Sequence, residues 1–311
     1  MERWQQCAIG PIGVWTWTLD PRPFPEIVTH ARLIEELGYS ALWFKEDFGR
    51  DALAAAALLL ANTTELIVAN GVASMYGRDP VAMRSAQRCL AEAYPDRHIL
   101  GVGVSHKPHA VARGHEYASP TRTATTYLAA MRDASYISPE PDGRLMTLLA
   151  ALGPRMLEVA RDHADGAHTF AATPEHTRRA RAILGEGPFL APVQPVVIDS
   201  DATRARETAR GYVGLLLGLE NYRNSWRRLG FDEADFADGG STALVEAVIV
   251  TGDEETAAAR VQEHLDAGAD HVAVQVVPRD LQTPPVDGWR RFSGTAKELS
   301  ARHEDRKEQT P

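Results

Sequence analysis

The sequence predicts an α/β protein, a closed (β/α)8 barrel with an insertion between its seventh and eighth strands. Short apolar runs alternate with helical patterns along the chain, which indicates parallel strands joined by crossover helices. Eight such runs occur in 311 residues, and a barrel of this kind needs about 250 residues. An open doubly wound sheet is the alternative, but residues 16–21, after the first run, lack its dinucleotide-binding glycine fingerprint.

Eight strands are predicted from short apolar runs, most of which end in glycine or polar residues. The pattern is clearest in the first four strands and fainter in those that follow. In chain order the predicted strands cover residues 9–15, 41–44, 66–69, 99–102, 145–149, 167–170, 192–198 and 271–277.

Helices are predicted between the strands, and two of them begin with clear signals. Asp51 is an acidic N-cap, and Asp79-Pro80 combines an N-cap with proline at the first helical position. The predicted helices cover residues 24–37, 51–61, 79–93, 121–134, 153–164, 174–184, 203–217, 222–229, 242–250 and 253–267.

Composition predicts a globular protein whose main partner is neither nucleic acid nor a membrane. Hydrophobic residues make up 44% of the chain and the formal net charge is −9. No apolar run approaches the roughly 20 residues that cross a bilayer. We expect one barrel domain over residues 1–299, with the insertion over 218–240, and a disordered polar tail over residues 300–311.

The cysteines and the first residues indicate the compartment. Cys7 and Cys89 lie far apart, and neither belongs to a metal-binding spacing. The residues before the first strand lack the apolar block of a signal peptide. We therefore expect a cytoplasmic protein without a metal site.

Polar side chains follow several predicted strands, at the ends that converge on one face of a barrel. Glu46 and Asp47 follow the second strand, and either carboxyl could exchange a proton if it faces a poorly hydrated pocket. A salt bridge to Lys45 or Arg50 is the alternative interpretation of these acids.

The fourth strand ends in two glycines, where the backbone could approach a ligand closely. His106 follows, and an imidazole there could donate or accept a proton near neutral pH. An exposed loop histidine is the alternative. Trp15 and Trp17 after the first strand suit the wall of a cofactor pocket, or they serve only to pack the core.

Two features favour an anionic ligand. The turn Leu152-Gly153-Pro154-Arg155 opens a helix, whose free N–H groups and dipole attract phosphate. Residues 97–122 carry four lysines or arginines and one acidic residue, against the acidic average of the chain. Helix initiation and a solvated face explain these features separately, but together they favour a cofactor that bears phosphate.

The chain resembles the luciferase-like flavin and deazaflavin oxidoreductases, in particular an actinobacterial branch that uses coenzyme F420. The resemblance implies a barrel of the bacterial-luciferase type and covers nearly the whole chain. It rests on the segments GYSALW (38–43), GVASMYGRDP (71–80), RHILGVGVSH (97–106), ALGPRM (151–156) and AGADHV (267–272).

The resemblance implies specific site residues. A cofactor ring would lie over a bulge at Gly71-Val72, where relatives have a non-prolyl cis peptide. Phosphate would be held by Val104-Ser105-His106 and by Leu152-Gly153-Pro154-Arg155. The acid/base position after the second strand maps to Glu46 or Asp47.

The sequence also departs from that family pattern. His98 stands where relatives favour a large aromatic residue, and residues 135–144 are short for a lid. Phe48 follows Asp47 where many relatives have histidine, so proton transfer is less well matched than cofactor binding.

The predicted function is an oxidoreductase that transfers a hydride between F420 and a small organic substrate. An FMN-dependent monooxygenase is one alternative, because both cofactors have a tricyclic ring and a ribityl phosphate. A barrel of the same family without enzymatic activity or cofactor is another. The apolar helices over residues 203–250 predict a homodimer interface.

Overall fold

A ring of eight parallel strands forms the centre of the computed structural model, which describes residues 9–308. The strands within this range are β1 (Ile12–Thr16), β2 (Ala41–Phe44), β3 (Ile67–Asn70), β4 (Ala73–Ser74), β5 (His98–Gly103), β6 (Met146–Ala150), β7 (Gly166–Phe170), β8 (Phe189–Ile198), β9 (Val250–Gly252) and β10 (Val272–Val276).

The ring closes because its last strand pairs with both ends of the series. It runs in the order β1-β2-β3-β5-β6-β7-β8-β10, and β10 pairs in parallel with β1 and with β8. In that closure Val272 is opposite Ile12, and Val274 is opposite Gln194. The two short strands lie outside the ring, β4 on β5 and β9 on β8. The predicted (β/α)8 barrel is confirmed.

Helices surround the ring and connect its strands. Within the described residues they are α1 (Phe24–Glu36), α2 (Ala52–Leu60), α3 (Pro80–Ala93), α4 (Lys107–Ala112), α5 (Pro120–Arg132), α6 (Pro154–His163), α7 (Pro174–Leu184), α8 (Ala202–Leu217), α9 (Glu220–Arg228), α10 (Thr242–Val248), α11 (Glu254–Asp266) and α12 (Val286–Glu308).

The predicted helix starts have the expected chemistry. The Asp51 side chain accepts from two backbone N–H groups of the first turn of α2, and Asp79 does the same for α3. Each carboxylate satisfies N–H groups that have no partner inside the helix. In the described range, no helix has both the length and the apolar character needed to cross a membrane.

The strands of the ring are buried on both faces, as parallel strands covered by helices must be. On β2, Trp43 packs inside the ring with Trp15, whereas Leu42 packs outward under the helices. Trp43 also stacks on His168, with ring centroids 4.5 Å apart, and its Nε1 donates to His271 Nε2 at 3.0 Å. These side chains fill the middle of the barrel and leave the carboxyl ends of the strands for a cavity.

The chain between the seventh and eighth strands of the ring, β8 and β10, carries four helices and β9. Apolar residues of α8, α9 and α10 form their own cluster, which buries Tyr212 and Trp226. The cluster includes Ala171, directly after β7, so the segment packs near the carboxyl end of that strand. The apolar residues that suggested a dimer interface are thus largely used within the chain. The insertion over 218–240 and the homodimer stay predictions.

The chain after β10 differs from the expectation. The sequence analysis predicts no helix there, but α12 extends from Val286 to Glu308 and buries Trp289 and Phe292 against the barrel. Residues 300–308, expected as part of a disordered tail, therefore continue a helix. Residues 309–311 and Cys7 lie outside the described part of the chain, and the division at residue 299 stays a prediction.

Candidate active site

A cavity of about 440 Å³ opens at the carboxyl ends of the barrel strands. Side chains or backbone after β1, β2, β3, β5, β6 and β7 line it, and α8 and α9 supply the remaining wall. The sequence predicted that these strand ends would converge, because active sites of this fold lie on that face. Its volume is within the range of about 300–1,000 Å³ that is typical of small-molecule sites.

Aromatic rings form one wall of the cavity. The Trp15 and Phe170 rings meet edge to face at 4.7 Å between centroids, and Phe170 lies 5.9 Å from Tyr222. Trp17 stacks on Tyr212 at 5.4 Å and donates its Nε1 hydrogen to a backbone carbonyl at 2.8 Å. Trp15 and Trp17 therefore pack against other rings and also line the cavity. The core-packing role and the pocket-wall role, which the sequence left as alternatives, are thus compatible.

Gly71 and Val72 also line the cavity, and the peptide bond between them is cis. Trp15 Nε1 donates to the Gly71 carbonyl oxygen at 3.1 Å. A Cβ at position 71 would lie 2.6 Å from Trp15 Nε1 and 2.9 Å from His168 Nε2. The close approach of these two rings therefore requires glycine at this position.

His168 lies next to the Gly71-Val72 segment and is a neutral hydrogen-bond acceptor. Its Nδ1 donates to the Ala191 carbonyl oxygen at 2.8 Å, which leaves Nε2 as the unprotonated nitrogen. Burial lowers its pKa to about 3. Within residues 9–308, Nε2 has no hydrogen-bond partner.

Glu46 lines the cavity but is held by four hydrogen bonds. Its carboxylate accepts from the Ser74 amide at 2.7 Å, from the Ala52 amide at 3.2 Å and twice from the Arg78 guanidinium. Arg78 also binds the carboxylate of Asp51. Arg78, and neither of the alternative partners Lys45 and Arg50, therefore pairs with Glu46. The start of α3 returns to the end of β2 and brings Arg78 there.

Asp47 has a different environment on the same side of the cavity. Its Oδ2 accepts from Lys45 Nζ at 2.9 Å, so the ion pair expected for this residue is present. Its Oδ1 is buried without a hydrogen bond among the described residues, 3.4 Å from His109 Nδ1. Asp47 thus keeps a carboxylate oxygen available, whereas Glu46 does not.

His106 is the N-cap residue directly before α4 and lines the cavity beside His109. The two rings are 5.5 Å apart, as expected for residues three apart on one helix face. Burial first, and then His109, lower the pKa of His106, while a side-chain hydrogen bond to Asn221 opposes the shift. The imidazole is therefore mostly neutral near pH 7.

The two segments expected to hold phosphate are only partly at the cavity. Val104, Ser105 and His106 all line it, and Ser105 has a left-handed backbone with φ of +54°. Leu152 and Gly153 line it as well. Pro154 and Arg155 are exposed and are not part of the lining. The structure therefore does not bring the Arg155 charge to the cavity.

Arg228 supplies a charge in that place. Its guanidinium lies against Gly153, the N-cap residue directly before α6, so that a Cβ on Gly153 would be 3.4 Å from Arg228 Nη2. The start of α6 has no side-chain cap, and its free N–H groups carry partial positive charge. Together they form a positively charged corner of the cavity.

Several lining residues have no signal in the local sequence. Asn221, Asn224 and Arg228 come from α9, which crosses to the cavity from the chain after β8. His109 also lines the cavity, and the local sequence pattern assigns it no role. A prediction of α4 would have placed His109 three residues from His106 on the same helix face.

Comparison with known proteins reveals extensive similarity. The model of a family described as luciferase-like monooxygenase matches residues 9–271. The 5,10-methylenetetrahydromethanopterin reductase of Methanolobus tindarius is 25% identical in an alignment of 293 positions that covers 80% of this chain and 90% of that protein.

Two solved structures show the same fold. An F420-dependent secondary alcohol dehydrogenase in complex with an F420-acetone adduct has a TM-score of 0.74 at 16% identity, over 94% of this chain and 99% of that one. The oxygenating constituent of 3,6-diketocamphane monooxygenase from Pseudomonas putida, in complex with FMN, has a TM-score of 0.69 at 12% identity. That match covers 94% of this chain and 98% of that one.

Proposed function

Because the chain belongs to the luciferase-like monooxygenase family, we propose that it is an F420-dependent oxidoreductase that acts on a small organic substrate. The observation that carries this proposal is the combination found in one cavity. The cavity has an aromatic wall beside Gly71, a positively charged corner at Gly153 and Arg228, and a titratable side chain, His106. The F420 named for one relative of the same fold agrees with this chemistry.

The residues present fit a tricyclic ring with a phosphate chain. Gly71-Val72 would support the ring, and Trp15 fixes the Gly71 carbonyl. Phosphate would be held by the backbone of Val104-Ser105-His106 and by Leu152-Gly153, with Arg228 in place of Arg155. When bound, F420 would supply the hydride donor or acceptor.

His106 is the residue to which we assign proton exchange with the substrate. It is neutral near pH 7 because burial lowers its pKa, so its imidazole can accept a proton inside the cavity. Asp47 is the second candidate, because its Oδ1 has no hydrogen bond among the described residues. Glu46 is assigned a positioning role, since its carboxylate is occupied by Arg78 and two amides.

The side chains that line the cavity around Trp17 indicate the kind of substrate. Beside Trp17 the cavity is lined by largely apolar side chains, those of Phe170, Leu216, Leu219 and Tyr222. Such a wall excludes water from the reacting atoms and favours a small, mostly apolar compound with one oxidisable or reducible group.

The direct test is a titration of the purified protein with F420 and, separately, with FMN. We expect F420 to bind with a dissociation constant of about 10 μM or less, and FMN about tenfold more weakly, because F420 carries additional acidic groups. The measurement is the change in absorbance or fluorescence of the cofactor ring.

An FMN-dependent monooxygenase is the second candidate function. It is favoured because the Gly71-Val72 surface that would support the F420 ring would also accept the ring of FMN. The diketocamphane monooxygenase of the same fold binds FMN. Tight FMN binding without F420 binding would reverse the proposal. Binding of neither cofactor would favour a barrel without enzymatic activity.

A further inference from the structure

The two glycines at the end of β5 surround a single side chain. A Cβ at Gly101 would lie 3.0 Å from Val72 Cγ1, and a Cβ at Gly103 would lie 2.9 Å from Val72 Cγ2. Real Cβ atoms do not normally approach other atoms so closely, so each methyl group of Val72 uses space that one glycine leaves free. The predicted close approach of this backbone to a ligand stays a prediction, and the two glycines also make room for a side chain of the same chain.

Val72 connects this site with the cavity. It is half-buried and lines the cavity, as Gly71 and Gly103 also do. The backbone around it is fixed by other contacts. Gly71 N donates to the Phe44 carbonyl at 2.7 Å, and Glu46 N donates to the Val72 carbonyl at 3.1 Å. The contact with β5 fixes the side chain of residue 72 in addition to this backbone.

We propose that Gly101 and Gly103 form a socket for the Val72 side chain, and that this socket positions the Gly71-Val72 segment that supports the cofactor ring. Val72 is a positioning residue in this arrangement. A side chain at position 103 would push Val72 out of the socket and into the space for the ring. The inference rests on the proposed function for the identity of the ring, but the socket itself does not.

The two glycines are not equally useful for a test. A Cβ at Gly101 would lie 2.0 Å from the Asn70 carbonyl oxygen, so substitution there would force the backbone apart. The three atoms nearest to a Cβ at Gly103 would all belong to side chains, Cγ2 and Cβ of Val72 and, at 3.1 Å, the Ala150 Cβ. Trimming Val72 can therefore relieve most of the clash created by Gly103→Ala.

The test is a double-mutant cycle on the whole protein with wild type, Gly103→Ala, Val72→Ala and the double variant. Thermal unfolding and F420 titration are measured for each, with FMN as a second probe. We expect Gly103→Ala to lower Tm by about 5 °C and to raise the F420 dissociation constant about tenfold. In the double variant we expect Tm and the dissociation constant to return close to the Val72→Ala values.

The matched control is Gly211→Ala, because a Cβ at this helical glycine would contact nothing within 4 Å. We expect it to raise Tm slightly, because alanine is more favourable than glycine inside a helix by about 0.5–1 kcal/mol, and to leave the dissociation constant close to wild type. This control shows that any loss at position 103 comes from its surroundings and not from the exchange of glycine for alanine.

The outcomes separate the socket from the proposed function. Additive effects of the two substitutions on Tm would overturn the socket. Coupled Tm values with an unchanged dissociation constant in Gly103→Ala would overturn the positioning role. If the wild type binds neither F420 nor FMN, the proposed function and the positioning role fail together, whereas the Tm cycle still decides whether the socket exists.

Discussion

Glu46 and His106 line the same cavity, yet their surroundings suit them to different tasks. The Glu46 side chain is 4% exposed, and its acceptor positions are directed at Arg78 and two backbone amides. His106 instead keeps a neutral imidazole at the cavity. A carboxylate whose oxygens accept from four donors holds the surrounding chain in place and has no free oxygen for contact with a substrate.

These environments predict opposite outcomes for two similar substitutions. Glu46→Gln should lower the free energy of unfolding by about 3 kcal/mol, because it leaves the buried Arg78 charge with a weaker partner. His106→Gln should instead lower kcat/KM about a hundredfold while F420 affinity stays within a few-fold of wild type. Chemical denaturation, steady-state kinetics and F420 titration measure the three quantities.

Surface residues provide the controls for this pair. Glu175→Gln removes exposed ion pairs with Arg178 and Arg179, and should leave the unfolding free energy almost unchanged because water screens such pairs. His115→Gln changes an exposed histidine outside the cavity lining. If Glu46→Gln reduces turnover without loss of stability, Glu46 returns as the proton-transfer group.

The pH dependence of the reaction follows from His106. Its folded pKa lies below the ordinary value of 6.5, so the base form persists to lower pH. The acid limb of kcat/KM should therefore lie below pH 6.5 in the wild type and be absent in His106→Gln.

At the scale of elements, α9 has two faces with different charge partners. Arg227 pairs with Glu220 and Glu233, at the protein surface. Arg228, the next residue, lines the cavity beside Gly153 and has no ion pair among the described residues. Adjacent residues on a helix point about 100° apart, so one helix can hold its own surface network and still supply a charge to the cavity.

This arrangement predicts different effects for two neighbouring arginines. Arg228→Gln should raise the F420 dissociation constant about tenfold, because it removes a charge from the corner assigned to phosphate. Arg227→Gln is the matched control and should leave the constant within about twofold, since its partners lie outside the cavity. Equal effects of the two substitutions would contradict a local role for Arg228.

For the whole molecule, buried histidines connect stability with pH. Burial lowers the pKa of His98, His168 and His264 to about 3, and that of His271 to about 4. In the unfolded chain these groups bind protons below about pH 6.5. Their stabilising contribution is therefore complete above pH 6.5 and is lost progressively as the pH falls toward the folded pKa values of about 3 to 4.

We expect Tm to fall steeply between pH 6.5 and pH 4.5, with each buried histidine contributing up to about 1.4 kcal/mol per pH unit. His264→Gln should make this dependence shallower by about one proton, because residue 264 then no longer titrates. Unfolding free energy measured as a function of pH gives the slope. An unchanged slope in this variant would show that His264 is not held neutral in the folded protein.

Local sequence patterns were sufficient to predict the barrel and several of the residues at the carboxyl ends of its strands. The eight strands of the ring, the caps at Asp51 and Asp79, and the convergence of Glu46, Gly71 and His106 on one face all follow from them. They could be predicted because strand and helix periods, caps and parallel closure depend on nearby residues and on a regular architecture.

Contacts between distant segments depended on the tertiary structure. Arg78 is 32 residues from Glu46 and binds that carboxylate, whereas the nearer Lys45 binds Asp47 and Arg50 binds backbone carbonyls. The Val72 socket, the route of α9 to the cavity and the burial of α12 likewise join segments that no local pattern relates. The sequence by itself therefore determined the ring and the end of the barrel that carries the cavity. Only tertiary structure decided which side chains meet there, because such contacts depend on packing geometry between elements and not on the residues within each one.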